Sequence, residues 1–327
     1  MNNLVLDRVI RQYENRTDGA IRYGEKADGS FYEIPIIVVE GGQPGPTLLV
    51  DGATHGDETE GTEAIIKMAE TLTHTKFSGR FIGVPALNME AFMLIRRSTL
   101  SDEMNLNRIY PGNMDTYITQ RLAAVYLERV ASNADVVISF HGGGDVLHLE
   151  PLCGYWPTED EVGQRNLALA KAFNTKYIWS CSNLPFKGNA QSALYPMGIP
   201  CIVPEVGSHC SHLHNRQRDI GIAYQGIRNV MIHMGMLDEP EPARVKQMTI
   251  ELHYIHSYNG GIQTPIRQPN EIVEQGETLC VMHDIYGNLI EELIAPWRGV
   301  VIGFWSLPVI HPGDWWSLFA KILDEDK

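Results

Sequence analysis

The sequence predicts an α/β protein over residues 1–242 followed by a small all-β unit over residues 243–327, and three observations carry that expectation. Compact apolar runs in "IPIIVVEG", "TLLVDGATHG" and "GRFIGVPALN" read as strands, while Ala64, Ile65, Met68 and Leu72 in "GTEAIIKMAETL" recur at helical spacing. Strand, helix, strand in that order is the crossover unit of an α/β sheet, and its right-handed connection gathers successive loops at one edge. Beyond "DEPEP" the runs become short and alternating, and none has room for a long helix.

The elements follow in order. The turn "GGQPGP" separates the first two strands. A helix is expected around "ITQRLAAVYLERVAS", a strand at "ADVVISF", a helix around "GQRNLALAKAFNT", and strands near "KYIWS" and "IPCIVPEV". A helix over "NRQRDIGIAYQGIRNVMIHMGML" then closes at "DEPEP", whose prolines and acids mark the boundary. After it come "VKQMTIELHYIHS", "GIQTPI", "ETLCVMHD", "NLIEELIAP" and "GVVIGFWS", separated by Gly, Asn and Pro.

Composition narrows the function classes. A chain of 327 residues, 44% hydrophobic and 20% charged, can bury a large core and has no need of staples. With 26 basic against 40 acidic side chains the net charge is -14, which repels a phosphate backbone and argues against nucleic acid as a partner. A local arginine still allows a small anionic substrate. No window approaches the roughly eighteen apolar residues of a membrane span, and the opening "MNNLVLDRVIRQYENRTDGAIRYG" has neither a secretory nor a transit pattern. Cys153, Cys181, Cys201, Cys210 and Cys280 form no CxxC pair, so a reducing, cytoplasmic setting is expected rather than a disulfide framework or a four-thiolate zinc knot.

The chemistry concentrates at strand ends. In "THGDETEG", His55 and Glu58 are suitable zinc ligands, at about 2.0–2.2 Å, if a strand ends and a helix begins between them. The pair alone admits a plainer reading, in which Asp57 and Glu58 favour a helix N-terminus and His55 is an ordinary loop residue. "VVISFHGGGDV" delivers a second histidine, His141, into a flexible loop; in one parallel sheet both histidines reach the same edge. Two histidines and one carboxylate leave a zinc position open for water, as hydrolysis requires. "GIPCIVPEVGSH" puts Glu205 at a third strand end, where a carboxylate could take a proton from water and pass it to a leaving amine. In "LIRRSTLSDEMNLNRIYPG", a guanidinium could grip a substrate carboxylate bidentately and another could stabilise an oxyanion, while Arg96 reads as a solvated loop charge.

Taken together, "GATHGDETEG", "PALNMEAF", "RRST", "MNLNRIYPG", "SFHGGG" and "PEVGS" resemble the succinylglutamate desuccinylase/aspartoacylase family, within the larger group similar to zinc carboxypeptidases, in order along roughly residues 35–320. The resemblance implies a mixed sheet flanked by helices as in zinc carboxypeptidases, then a lipoyl-like β domain. It implies one zinc per subunit held by His55, Glu58 and His141, with Glu205 as general base and acid. Asn107 and Arg108 match the residues that bind the substrate carboxylate, and Arg97 the arginine that polarises the scissile carbonyl. No lysine occupies the hairpin position that carries lipoate or biotin in carrier domains, so the terminal segment is expected to be architectural, narrowing the active-site mouth or supporting subunit contacts in a homo-oligomer.

The nearest subgroup by resemblance comprises deacylases of N-acylated amino acids, including N-acetyl-diaminobutyrate deacetylases of ectoine breakdown. It commonly has "LHSGG" and an "EIGG"-like segment where this chain has "FHGGG" and "EVGSH", so Ser208 and His209 are expected to add polarity near the cleft. The expected activity is hydrolysis of the amide of a small N-acyl amino acid. Two rivals stand beside it: a metallocarboxypeptidase acting on short peptides, and a noncatalytic binding protein that keeps the fold.

Overall fold

The computed structural model describes residues 4–184, 187–208 and 213–325. In chain order the N-terminal half contains β1 (Arg8–Gln12), β2 (Arg16–Glu25), β3 (Phe31–Glu40), β4 (Gln43–Asp51), α1 (Glu60–Thr73), β5 (Ser78–Val84), α2 (Met89–Met93), α3 (Ile118–Val125) and β6 (Val136–Ser139). Then follow β7 (Leu147–Leu149), β8 (Leu152–Tyr155), α4 (Glu161–Phe173), β9 (Tyr177–Ser180), α5 (Ala190–Leu194), β10 (Cys201–Glu205) and α6 (Leu213–His233). The remainder is β11 (Met248–His256), β12 (Gly261–Pro265), β13 (Ile272–Val273), β14 (Thr278–His283), β15 (Leu289–Ile294), β16 (Gly299–Trp305), β17 (Val309–Ile310) and β18 (Trp315–Glu325).

Among the described residues a mixed sheet of fourteen strands runs β1-β2-β3-β5-β4-β6-β10-β8-β9-β11-β18-β16-β13, with β7 paired to β16. Its centre is parallel: β4 pairs with β5 and β6, and β6 with β10. The strand alternation of β4 explains why both faces are covered by helices. Leu48 and Val50 enter one core with Ile65, Met68, Phe173 and Val230, from α1, α4 and α6. Leu49 enters the other, with Leu122 of α3 and Ala190 and Leu194 of α5. Burial on both faces makes the centre of this sheet read as continuous apolar runs.

The helix expected over "ITQRLAAVYLERVAS" ends as α3 at Val125 and continues through a π-helical turn, Tyr126–Val130. That turn carries Tyr126, whose hydroxyl donates to Asp51 Oδ2 at 2.6 Å beneath the end of β4. Beyond residue 243 only strands occur among the described residues. Four of them extend the large sheet: β11 pairs in parallel with β9, matching Met248 to Tyr177, and β18, β16 and β13 follow it. A separate four-stranded sheet, β15-β14-β12-β17, packs beside them around Val273, Leu279, Met282 and Trp316.

Candidate metal centre and active site

Three adjacent parallel strands deliver the expected chemistry to one edge. Asp51 at the end of β4 pairs with Ser139 at the end of β6, so the loops carrying His55 and His141 leave side by side. His141 pairs with Glu205 in a parallel bridge, its N–H donating to the Pro204 carbonyl at 2.9 Å. After β4 the chain turns sharply, with Ala53 in the left-handed region at φ 49°, a conformation costly for a residue with a side chain and here held by the bond from Asn88 N–H to its carbonyl. Gly144 also lies in that region at φ 55°, and a Cβ there would meet the Asp57 carboxylate.

Glu58 is the hub of the site. Its two oxygens lie 2.8 Å from His55 Nδ1 and 2.8 Å from His141 Nδ1, and Arg97 Nη1 donates to Oε1 at 3.1 Å. His55, Glu58 and His141 are all buried, and one ligand atom from each falls within 4.8 Å of the others. Burial alone would raise the Glu58 carboxyl, but the two imidazoles more than offset it and hold it well below the usual range. Burial likewise disfavours charge on His141, which Glu58 and Glu205 outweigh, leaving it raised. His55 goes the other way: burial pushes it down to about 4.

The tautomer of His55 tests whether a metal fits. Asn105 Oδ1 accepts the Asn107 N–H at 2.9 Å, which identifies it as the oxygen, and it also lies 3.0 Å from His55 Nε2. Nε2 therefore carries the proton of a neutral ring, and the Nδ1 lone pair faces a carboxylate oxygen. Two acceptors at 2.8 Å repel unless a cation lies between them and the second imidazole. The donor set thus fits a metal ion such as zinc, and Asn105 supplies the outer hydrogen bond typical of metal-ligating histidines.

Around this centre is a cavity, open to solvent at its mouth, lined by His55, Glu58, Arg97, Asn107, Arg108, His141 and Glu205. The structure brings all seven sequence-predicted residues together. Glu205 keeps part of its surface open to the cavity, yet burial, reinforced by Glu58, pushes its carboxyl up to about 8 against the opposing effect of His141. Arg108 follows Asn107 in a short 3-10 turn and donates to the Asn107 carbonyl at 2.8 Å. Burial, then Arg97, lowers its guanidinium to about 10, which leaves it charged at neutral pH. Arg96 does not line the cavity; it pairs with exposed Glu103 at 3.2 Å.

Ser208 departs from expectation. Its hydroxyl accepts the Leu149 N–H at 3.0 Å and donates to the Leu149 carbonyl at 3.3 Å, so its polarity is spent holding β7 rather than offered to the cleft. His209 and Cys210 lie outside the described residues. The other four cysteines are buried and free. Sequence reasoning missed the far wall: Leu252 and Tyr254 on β11 and Trp315 and Leu318 on β18 complete the cavity, with the Arg97 guanidinium 5.8 Å from the Trp315 ring centre. Leu252 and Tyr254 are two apart in an alternating strand, a spacing that puts them on one face.

A family model for the succinylglutamate desuccinylase/aspartoacylase catalytic domain matches residues 44–234. The chain belongs to this family. It is 30% identical over 299 residues to the N-alpha-acetyl-L-2,4-diaminobutyric acid deacetylase of Halomonas elongata, covering 89% of this chain and 86% of that protein. Among solved structures of similar fold, the product-bound ectoine utilization protein EutE (DoeB) of Ruegeria pomeroyi superposes with a TM-score of 0.85 at 28% identity, covering 98% of this chain and 97% of the other. A succinylglutamate desuccinylase from Silicibacter sp. gives 0.85 at 26%, covering 98% and 100%. The family match begins in β4 and ends just after α6, so it contains all seven cavity residues named from the sequence. Among the described residues of this family member, no helix is long and apolar enough to cross a membrane.

Proposed function

We propose that this protein is a zinc-dependent amidohydrolase that cleaves the amide bond of a small N-acyl amino acid, releasing a carboxylate and a free amine. The observation that carries this reading is the convergence of the His55, Glu58 and His141 donors with Glu205, Arg97, Asn107 and Arg108 in one cavity. Membership of a deacylase family and 30% identity to an acetyl-diaminobutyrate deacetylase support it.

His55, Glu58 and His141 would hold one zinc ion per subunit. When bound, zinc supplies Lewis-acid chemistry, polarising the scissile carbonyl and acidifying a water. Glu205 takes a proton from the attacking water and returns it to the amide nitrogen; a carboxyl raised above its ordinary range suits both halves of that transfer. Arg97, on the Glu58 side of the cavity, faces the oxyanion that develops on the carbonyl oxygen. Arg108 and Asn107 grip the free carboxylate of the substrate and fix its register. In this division 1–242 is the catalytic unit, and 243–327 is a lipoyl-like β unit without a covalent cofactor that walls the cavity through Tyr254 and Trp315. The β14–β15 hairpin, Asp284–Asn288, offers no lysine for such a cofactor.

The test is a zinc-loaded preparation assayed against N-acetyl amino acids, dipeptides and longer peptides, with release of primary amine as the readout. Cleavage of N-acyl amino acids is expected. Turnover of peptides alone would assign a carboxypeptidase instead, and metal binding with no turnover would assign a binding protein.

A further inference from the structure

The cavity lining is of two kinds. One is the set of charged residues already described. The other is the inner face of a single apolar cluster: Leu147, Leu149, Leu152, Trp179, Leu252 and Leu318 are packed together, and all six also line the cavity; Leu152 lies opposite Glu205 in the sheet. They come from β7, β8, β9, β11 and β18, so rigid strands rather than loops build this wall. Half-buried Leu184 extends it.

Two uncharged polar side chains in the lining are already engaged by their own backbone neighbours. Asn189 Oδ1 accepts the Ser192 N–H at 2.8 Å as the cap of α5, and Gln191 Nε2 donates to the Cys201 carbonyl at 3.2 Å. Among the described residues the carboxylates in the lining are Glu58 and Glu205, both placed at the reaction centre by the reading above. The undescribed internal residues, "PF" at 185–186 and "HCSH" at 209–212, contain no acid that could supply another. An ammonium on the substrate side chain would enter a site with two guanidinium groups and no carboxylate of its own. Losing water there without a partner is costly, whereas an apolar group gains by the same transfer.

Resting on the reading of this site as an N-acyl amino acid hydrolase, we infer that the preferred substrate carries an uncharged apolar group, seated against the Leu149–Leu152–Trp179 wall. The group is either the side chain of the amino acid or the acyl chain. This separates the chain from its Halomonas elongata relative, whose named substrate bears a free amine on its side chain.

The experiment compares kcat/KM of the zinc-loaded enzyme for N-acetyl-L-leucine, N-acetyl-L-phenylalanine and N-hexanoyl-L-alanine with Nα-acetyl-L-2,4-diaminobutyrate and N-acetyl-L-aspartate. At least one apolar substrate should exceed both charged ones by about tenfold or more. Preference among the acetyl substrates assigns the wall to the side chain; preference for the hexanoyl substrate assigns it to the acyl group. Equal or better turnover of diaminobutyrate or aspartate overturns the inference alone, while no turnover of any N-acyl amino acid overturns the hydrolase reading and this inference with it. Leu184→Asp, checked for an unaltered unfolding midpoint, should shift the diaminobutyrate-to-leucine ratio upward by about tenfold. A folded variant with an unchanged ratio would also overturn it.

Discussion

Asn105 Oδ1 lies 3.0 Å from His55 Nε2 and fixes which nitrogen of that ring faces Glu58. The same oxygen is anchored by the Asn107 backbone, so the orientation of a candidate metal ligand is tied to the turn that carries Arg108. Replacing Asn105 by Leu frees the ring to change tautomer and should weaken metal binding about 10- to 100-fold, with Asn105→Asp retaining most of it. Competition against a chelator of known affinity reads this directly. Unchanged affinity in Asn105→Leu would mean that the ring is held by its packing alone.

Glu205 adjoins the donors through the parallel bridge at His141 but is separate from the three-residue set. Glu205→Gln should therefore keep full metal occupancy while kcat falls by about 10² to 10⁴. Metal content must be measured on the same sample, because an unmetallated variant would also be inactive. Near-wild-type kcat at full occupancy would remove Glu205 from the chemistry.

The central sheet was legible in the sequence because the inner ends of β4, β5, β6 and β10 are buried and appear as apolar runs closed by Gly, Pro, His or Glu. The outer parts were not. Strand β1 is exposed along its whole length, so it carries no hydrophobic alternation, and β7 and β8 are three and four residues long. The site shows the same split. His55, His141 and Glu205 could be read because each ends a strong strand, whereas Trp179, Tyr254 and Trp315 reach the cavity only through pairing of β9, β11 and β18 across long stretches of chain. No local pattern records which residues a distant strand will face.

Arg97 and Arg108 share the cavity but differ in setting. Arg97 donates to the Glu58 carboxylate of the candidate metal centre, while Arg108 is fixed by the Asn107 carbonyl on its own turn. Arg108→Ala should chiefly raise KM, and Arg97→Ala should lower kcat by about 10² or more. Steady-state kinetics on one good substrate separates the two. Equal effects on both parameters in both variants would dissolve the division of roles.

The unit after residue 243 completes the sheet as well as the cavity. Removing it would strip β11 from β9 and expose Tyr177 and Trp179, which are now buried in a cluster with Leu252 and Leu318. An unpaired edge beside a large apolar patch favours association. The fragment 1–242 should consequently aggregate on size-exclusion chromatography. A monomeric, cooperatively folded fragment would show that the β unit is dispensable for the core.

Asp51 offers a stability signature at a residue outside the three-donor set. It is fully buried at the end of β4, accepts hydrogen bonds from Tyr126 and Ser139 at 2.6 and 2.8 Å, and burial nevertheless pushes its carboxyl up from 3.8 to about 6. The folded state holds this proton more tightly than the unfolded chain. Its contribution is therefore fully present below about pH 4 and lost as pH rises through about 6, a change of about 3 kcal/mol. Asn at this position stays neutral throughout, and one of the two hydroxyls can rotate to accept from its amide. The difference in unfolding free energy, wild type minus Asp51→Asn, should thus fall by about that amount between pH 4 and pH 7 in urea titrations. A difference that stays flat over this range would mean that Asp51 is ionised in the fold at all these pH values, stabilised by its two hydroxyl donors.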